Sequence, residues 1–106
     1  MAGLLVDEIS DVDGILCATD VVAIGAIRAL RERGLRVPED VRVIGFDDVP
    51  LDAFLTPSLS SIAPDHEAMA DAAISMLTER ISGTRAPGEY RSFVADVRLM
   101  ARESTA

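Results

Sequence analysis

Asp47 and Asp48 are the residues best placed to do chemistry in this sequence. They follow the run Val41-Arg42-Val43-Ile44 and a Gly45-Phe46 pair. Such a run reads as a buried strand, and its carboxyl end delivers two acids to a sheet edge, where open α/β sheets bind ligands. A second run, Gly14-Ile15-Leu16-Cys17-Ala18, ends in Thr19-Asp20 and opens a helix. Two strands that end in polar or acidic residues suggest one shared site. An ionised carboxylate only accepts hydrogen bonds, so it suits the adjacent hydroxyls of a polyol. Acids at strand ends also suit Mg2+ in a receiver-like or phosphoryl-transfer domain. Against that, the chain has no P-loop and no lysine. Structural roles compete at each position. Asp20 reads first as a helix cap, and Asp48 as a turn-former or a support for its neighbour. Asp47 reads as the functional one.

These residues need a βαβ unit to bring them together. Strands are expected at 14–18 and 41–46, with a helix at about 20–33 between them. Thr19 or Asp20 would cap that helix, and Gly34 would close it in the left-handed conformation. Short connectors between such elements imply parallel pairing. Residues 49–57 carry two prolines and read as one helical turn and a loop. A third strand follows at about 59–62, then a helix at about 65–82 with Met69, Ala73, Met76, Leu77 and Ile81 as its apolar stripe. Residues 90–101 read as extended pieces and 102–106 as a polar tail. Residues 3–10 read as the end of a helix. The fold class is therefore α/β, a parallel sheet flanked by helices.

Composition excludes several functions. The chain has 106 residues, room for one small domain, and 49% are hydrophobic, which implies a packed core. Its net charge of −8 argues against a nucleic-acid surface, which needs clustered Lys and Arg. Aromatics at 4%, with no Trp, argue against a stacking platform for sugars or bases. One Cys and one His make no zinc site of ordinary spacing, and no cofactor is expected. Cys17 sits in an apolar run and packs as a small hydrophobe. No Gly-x-Ser-x-Gly elbow or nucleophile triad is visible, so no enzyme is expected. The start of the chain lacks the pattern of a signal peptide, and no apolar run is long enough for a bilayer. A cytoplasmic protein without a membrane partner is expected.

The helix after Thr19 begins Val21-Val22-Ala23-Ile24-Gly25-Ala26-Ile27, with almost no polar face. Such a helix is buried on several sides or covers a subunit interface. Gly25 in mid-helix suggests the close approach of another backbone.

In their order and spacing these segments resemble a known family. The stretch Asp13-Gly-Ile-Leu-Cys-Ala-Thr-Asp20 is followed by Ala23-Ile-Gly-Ala-Ile-Arg-Ala-Leu-Arg-Glu-Arg-Gly-Leu-Arg-Val-Pro-Glu-Asp40 and Val43-Ile-Gly-Phe-Asp-Asp48. Later come Leu55-Thr-Pro-Ser-Leu-Ser-Ser-Ile62 and Arg102-Glu-Ser-Thr105. Together they resemble the effector-binding region of LacI/GalR-type bacterial transcription regulators, over nearly the whole chain. The resemblance implies a partial periplasmic-binding-protein-like (type I) fold. It implies a small-molecule effector, a sugar or related polyol, and a homodimer. DNA would be met only through a helix-turn-helix that, like the first lobe, is absent from these residues.

Carried over by position, Asp47 matches the acceptor of sugar hydroxyls. Thr19 falls where many members have Asn, and His66 where some place an aromatic ring against the effector. Asp20 completes the expected effector-binding set. Ile24, Ile27, Phe54 and Leu55 match the dimer surface. The helix at 65–82 would pack on the first lobe in two-lobed relatives. With half the cleft missing, the chain alone is expected to be marginally stable and to bind no sugar usefully. The alternative is a fragment of a periplasmic sugar-binding protein.

Overall fold

The computed structural model describes residues 7–8 and 11–106. Asp7 and Glu8 are helical, and the rest of the helix end expected at 3–10 lies outside the described residues. The chain groups into two compact units. One runs to Ala63 and resumes at Leu99, and the other is Pro64–Arg98.

In the first unit, strand β1 (Gly14–Leu16) leads into helix α1 (Asp20–Glu32), which leads into strand β2 (Arg42–Phe46). A 3-10 turn, Pro50–Phe54, precedes strand β3 (Ser60–Pro64). β2 pairs in parallel with β1 on one side and β3 on the other, with Leu16 opposite Ile44 and Phe46 opposite Ile62. With strand β4 (Val97–Met100) the sheet order is β1-β2-β3-β4. The parallel βαβ reading therefore holds, with boundaries shifted by one or two residues. β1 is shorter than expected, but the Cys17 N–H still donates to Ile44 O at 2.9 Å, so the ladder runs one residue beyond it.

The core follows from two periodicities. On α1, Ala23, Ala26, Ile27 and Leu30 are buried, the i, i+3, i+4, i+7 pattern of one helix face. On β2, Val43 and Gly45 are buried and lie on one side of the strand, continuing from Val41 just before it. Cys17, Val37 and Leu59 complete the cluster. Burial raises the Cys17 thiol above its ordinary range, as befits packing rather than reactivity.

Thr19, not Asp20, caps α1: its hydroxyl accepts from Val22 N at 3.3 Å. The other end closes as foreseen. Gly34, at φ 77°, donates to Arg31 O at 2.9 Å, and Leu35 N donates to Leu30 O at 3.0 Å, a complete Schellman motif.

Two expectations are corrected. Residues 102–106 are no free polar tail. They form a 3-10 turn, Glu103–Thr105, in which Ser104 is wholly buried. Its hydroxyl donates to Val43 O at 2.6 Å and accepts from Ser60 N at 2.8 Å, so it joins the backbones of β2 and β3. And among the described residues, apart from its own helix turn, nothing lies within 4 Å of a Cβ placed at Gly25, so no other backbone of these residues makes the close approach.

In the second unit, Asp65 caps helix α2 (His66–Ile81) by accepting from Ala68 N at 2.9 Å. None of its residues is buried. Met69, Ile74, Leu77 and Ile81 are all exposed. The loop after α2 is gathered by Glu79, which accepts from Arg85 at 2.6 Å and Arg91 at 2.7 Å. These hydrogen bonds, Arg85 first, lower the Glu79 carboxyl below the usual range.

The two helix glycines should respond oppositely to alanine. Gly25→Ala meets open space and gains roughly 1 kcal/mol of helix propensity. Gly34→Ala forces a Cβ into a left-handed position and costs about 1 kcal/mol. Urea unfolding of both variants at one fixed protein concentration checks the signs.

Candidate functional site

The carboxyl ends of β1 and β2 bring Thr19-Asp20 and Asp47-Asp48 to the same edge of the sheet. Asp47 is half-buried. Its N–H donates to Ile62 O at 2.9 Å, which carries the β2–β3 ladder one residue past β2. Its φ is 111° and that of Asp48 is 55°. Two successive non-glycine residues at positive φ are unusual and persist only where their surroundings over-determine them.

The surroundings do so through Asp20. It is 1% exposed. One oxygen accepts from the Ser61 hydroxyl at 2.6 Å and the other from Val49 N at 3.0 Å. Ser61 Oγ in turn accepts from Asp48 N at 3.0 Å. The first residue of α1 thus holds the 47–49 loop from one side and β3 from the other. Its charge also suits the positive end of the helix. Gly45 makes room for it: a Cβ there would lie 2.1 Å from Asp20 Oδ1 and 3.0 Å from its Cα.

Asp48 is held from the opposite side. Arg102 donates to its carboxylate at 2.7 Å and to Leu59 O at 2.7 Å. Both partners of this ion pair are about four-fifths buried.

Of the expected effector-binding residues, the structure brings Thr19, Asp20 and Asp47 to one edge but gives Asp20 a different job. A buried carboxylate with both oxygens bonded inside the unit does not face a ligand, so Asp20 is corrected from effector contact to internal clamp. Thr19 spends an acceptor site on the α1 cap, and its O–H remains able to donate. His66 is exposed, at the start of α2 in the other unit. Asp48 takes the supporting role foreseen for it. The Mg2+ arrangement loses its ligands, because Asp20 is bonded to Ser61 and Val49, and Asp48 to Arg102.

Ser61 and Arg102 escaped the sequence reading. Neither carries a local signal, since each acts on residues more than 40 positions away.

The expected dimer residues are also sorted by the structure. Phe54 is 82% exposed, Ile24 and Leu55 are half-buried, and Ile27 is corrected to a core residue at 7%. A groove of about 440 Å³ lies beside them, lined by Ile24, Ile27, Arg28, Leu55 and Pro57 among others. Arg31 braces its rim by donating to Thr56 O.

Parallel strands with polar residues at their carboxyl edge, followed by a positive-φ acid pair, define the lobe of a periplasmic-binding-protein-like domain. The family model for the Periplasmic binding protein-like domain matches residues 2–105. More narrowly, the chain belongs to the LacI/GalR family of transcription regulators and forms part of their effector-binding domain.

The regulator MalR of Streptomyces coelicolor is 48% identical over 96 residues, covering 91% of this chain and 27% of that protein. The ribose operon repressor of Haemophilus influenzae is 34% identical over 94% of this chain and 30% of its own length. A LacI family regulator from Arthrobacter sp. FB24, solved in complex with lactose, is 40% identical. It superposes with a TM-score of 0.82 over 99% of this chain and 39% of that one. The regulator CelR in complex with cellobiose is 36% identical, with a TM-score of 0.88 over 97% of this chain and 31% of that one. The chain thus spans about a third or less of the length of these two curated relatives.

The clamp makes graded demands. Asp20→Ala leaves two donors unmet, at roughly 1–3 kcal/mol each where they are buried. Ser61→Ala also breaks two bonds, leaving Asp48 N without its acceptor and one buried Asp20 oxygen without its donor, so its cost is of the same order. Gly45→Ala forces its Cβ against the helix backbone and costs about 3 kcal/mol or prevents folding. Denaturant midpoints should place Ser61→Ala and Asp20→Ala clearly below wild type, and Gly45→Ala at or below both.

Proposed function

We propose that this chain is the carboxyl-terminal effector-binding and dimerising portion of a cytoplasmic transcription regulator. It is a non-catalytic module whose effector is a sugar or related polyol. The observation that carries this reading is Asp47. It is an acid anchored in the β2–β3 ladder at the ligand edge of a parallel sheet, in a backbone conformation fixed by Asp20 and Ser61. Its carboxylate accepts from two adjacent hydroxyls, and the Thr19 hydroxyl donates to a ring oxygen or a further hydroxyl. Relatives solved with lactose and cellobiose support a sugar.

The remaining length of the relatives would supply a facing lobe and a helix-turn-helix. Effector binding would favour one arrangement of the two lobes and so shift the population of DNA-competent dimers. Regulator relatives favour this over a periplasmic transport protein. Among the described residues, no helix is long and apolar enough to cross a membrane.

Calorimetry tests the effector. The chain alone should give no saturable heat with pentoses, hexoses or nucleosides, because half the cleft is missing. The longer regulator should bind one of them. There, Asp47→Ala should weaken binding roughly tenfold or more, the loss expected for charge-assisted hydrogen bonds. Micromolar binding by the chain alone, or an Asp47→Ala protein that binds normally, would refute the assignment.

The apolar groove tests the dimer. Phe54 stands exposed beside Ile24 and Leu55, and exposed apolar patches of this kind mark contacts. Sedimentation of wild type should show self-association at high micromolar concentration, and Ile24→Glu should abolish it. A wild type that stays monomeric, or an Ile24→Glu protein that still dimerises, contradicts the interface.

A further inference from the structure

Asp52 plays no part in the site described above, yet it is completely buried in the turn Pro50–Phe54. Its backbone is fixed at both ends: its N–H donates to Val49 O at 3.0 Å, and its carbonyl accepts from Leu59 N at 2.9 Å. Among the described residues, no donor reaches either carboxylate oxygen. An ionised carboxylate so placed is severely disfavoured. Protonation removes the charge and supplies an O–H that itself needs an acceptor.

Three charged groups act on the Asp52 carboxyl: Asp20 at the start of α1, Asp48 in the loop after β2, and Arg102 in the segment before the last turn. Arg102 is committed to Asp48 and Leu59 O. Asp20 is brought to the same turn, because Val49 accepts from the Asp52 N–H and itself donates to Asp20. Each Asp20 oxygen already accepts one bond, and a carboxylate oxygen has room for a second.

We infer that Asp52 keeps a proton that it donates to Asp20, and that this buried acid pair is a pH-sensitive latch on the loop that carries Asp47. With the proton in place, Asp52 donates to Asp20, and Asp20 holds Ser61 and Val49. When the proton leaves, two like charges face each other in a dry cluster. The loop 47–49 is the element tied to that cluster through the Val49 and Asp48 N–H groups, so it is the element that shifts.

The titration falls in a useful range. Burial first, then the Asp20 carboxyl, push the Asp52 carboxyl up to about 7, with Arg102 opposing them. The sign follows. Between its ordinary value of 3.8 and about 7, the folded protein keeps a proton that the unfolded chain has released. Rising pH therefore weakens the fold across that window, and the loss levels off above it. The consequence for an effector rests on the role proposed for Asp47, but the latch is measured without any effector, so the two claims fail separately.

The test is carbon-detected NMR of the aspartate carboxyls in the wild-type chain from about pH 4 to about pH 8, followed together with the backbone amides of Asp47, Asp48 and Val49. The Asp52 carboxyl should titrate near neutrality, and the three amides should follow the same curve. Thermal unfolding gives a second readout. Asp52→Asn keeps a permanent donor to Asp20 and has no proton to lose, so it should match wild type near pH 4 and melt increasingly higher than wild type as the pH rises to about 7, with a constant gap above that. An Asp52 carboxyl that titrates near its ordinary value, amides that ignore it, or melting curves that stay parallel across the window would each overturn the latch. If Asp52→Asn does not fold, the wild-type titration decides alone.

Discussion

The buried carboxylate of Asp20 is the constraint on which the rest of the first unit depends. It stands at the first residue of α1, yet its two oxygens serve β3 through Ser61 and the loop after β2 through Val49. One side chain thereby joins a helix start, a strand and the ligand-edge loop. Such a group is costly to bury unless its bonds are fully made. Every partner is therefore constrained in turn. Gly45 must lack a side chain because Asp20 occupies that space. Ser61 must carry a hydroxyl because it relays the bond to Asp48 N.

A second brace comes from the end of the chain. Ser104 links Val43 O to Ser60 N, and Arg102 grips both Asp48 and Leu59 O. Ser60 adds a hydroxyl bond to Thr105 at 2.6 Å and accepts from Arg102 N at 2.7 Å. The positive φ of Asp47 and Asp48 is thus enforced from two sides, by Asp20 through Ser61 and by Arg102. Rigid presentation of one acid at a sheet edge is what recognition of a particular set of hydroxyls requires. The same rigidity leaves the buried Asp52 as the point where a single proton can alter it.

The elements were readable because they are written locally. Hydrophobic spacing marked α1, Gly34 marked its end, and the β-branched run at 41–44 marked the central strand. The place of Asp47 at the sheet edge was readable because the run before it reads as a strand. The clamp was not. Thr19 and Asp20 are both good caps by type, and only the packing against Gly45 and Ser61 assigns the cap to one and burial to the other. Ile27 looked like interface because the start of α1 is apolar all round, and only the sheet beneath decides which apolar residues it covers. The terminal Arg-Glu-Ser-Thr looked like a tail because its partners, Ser58 to Ser60 and Asp48, lie more than 40 residues away.

The central claim is that the Asp47 carboxylate reads adjacent effector hydroxyls from a braced loop. A cycle between protein and ligand tests it most directly: calorimetry of the longer regulator and its Asp47→Ala variant, each with the effector and with deoxy analogues lacking one hydroxyl at a time. One or two deoxy positions should weaken binding to wild type by roughly tenfold or more, and that penalty should vanish in Asp47→Ala. A penalty of the same size in both proteins at every position would show that the carboxylate does not read those hydroxyls, and would contradict the claim.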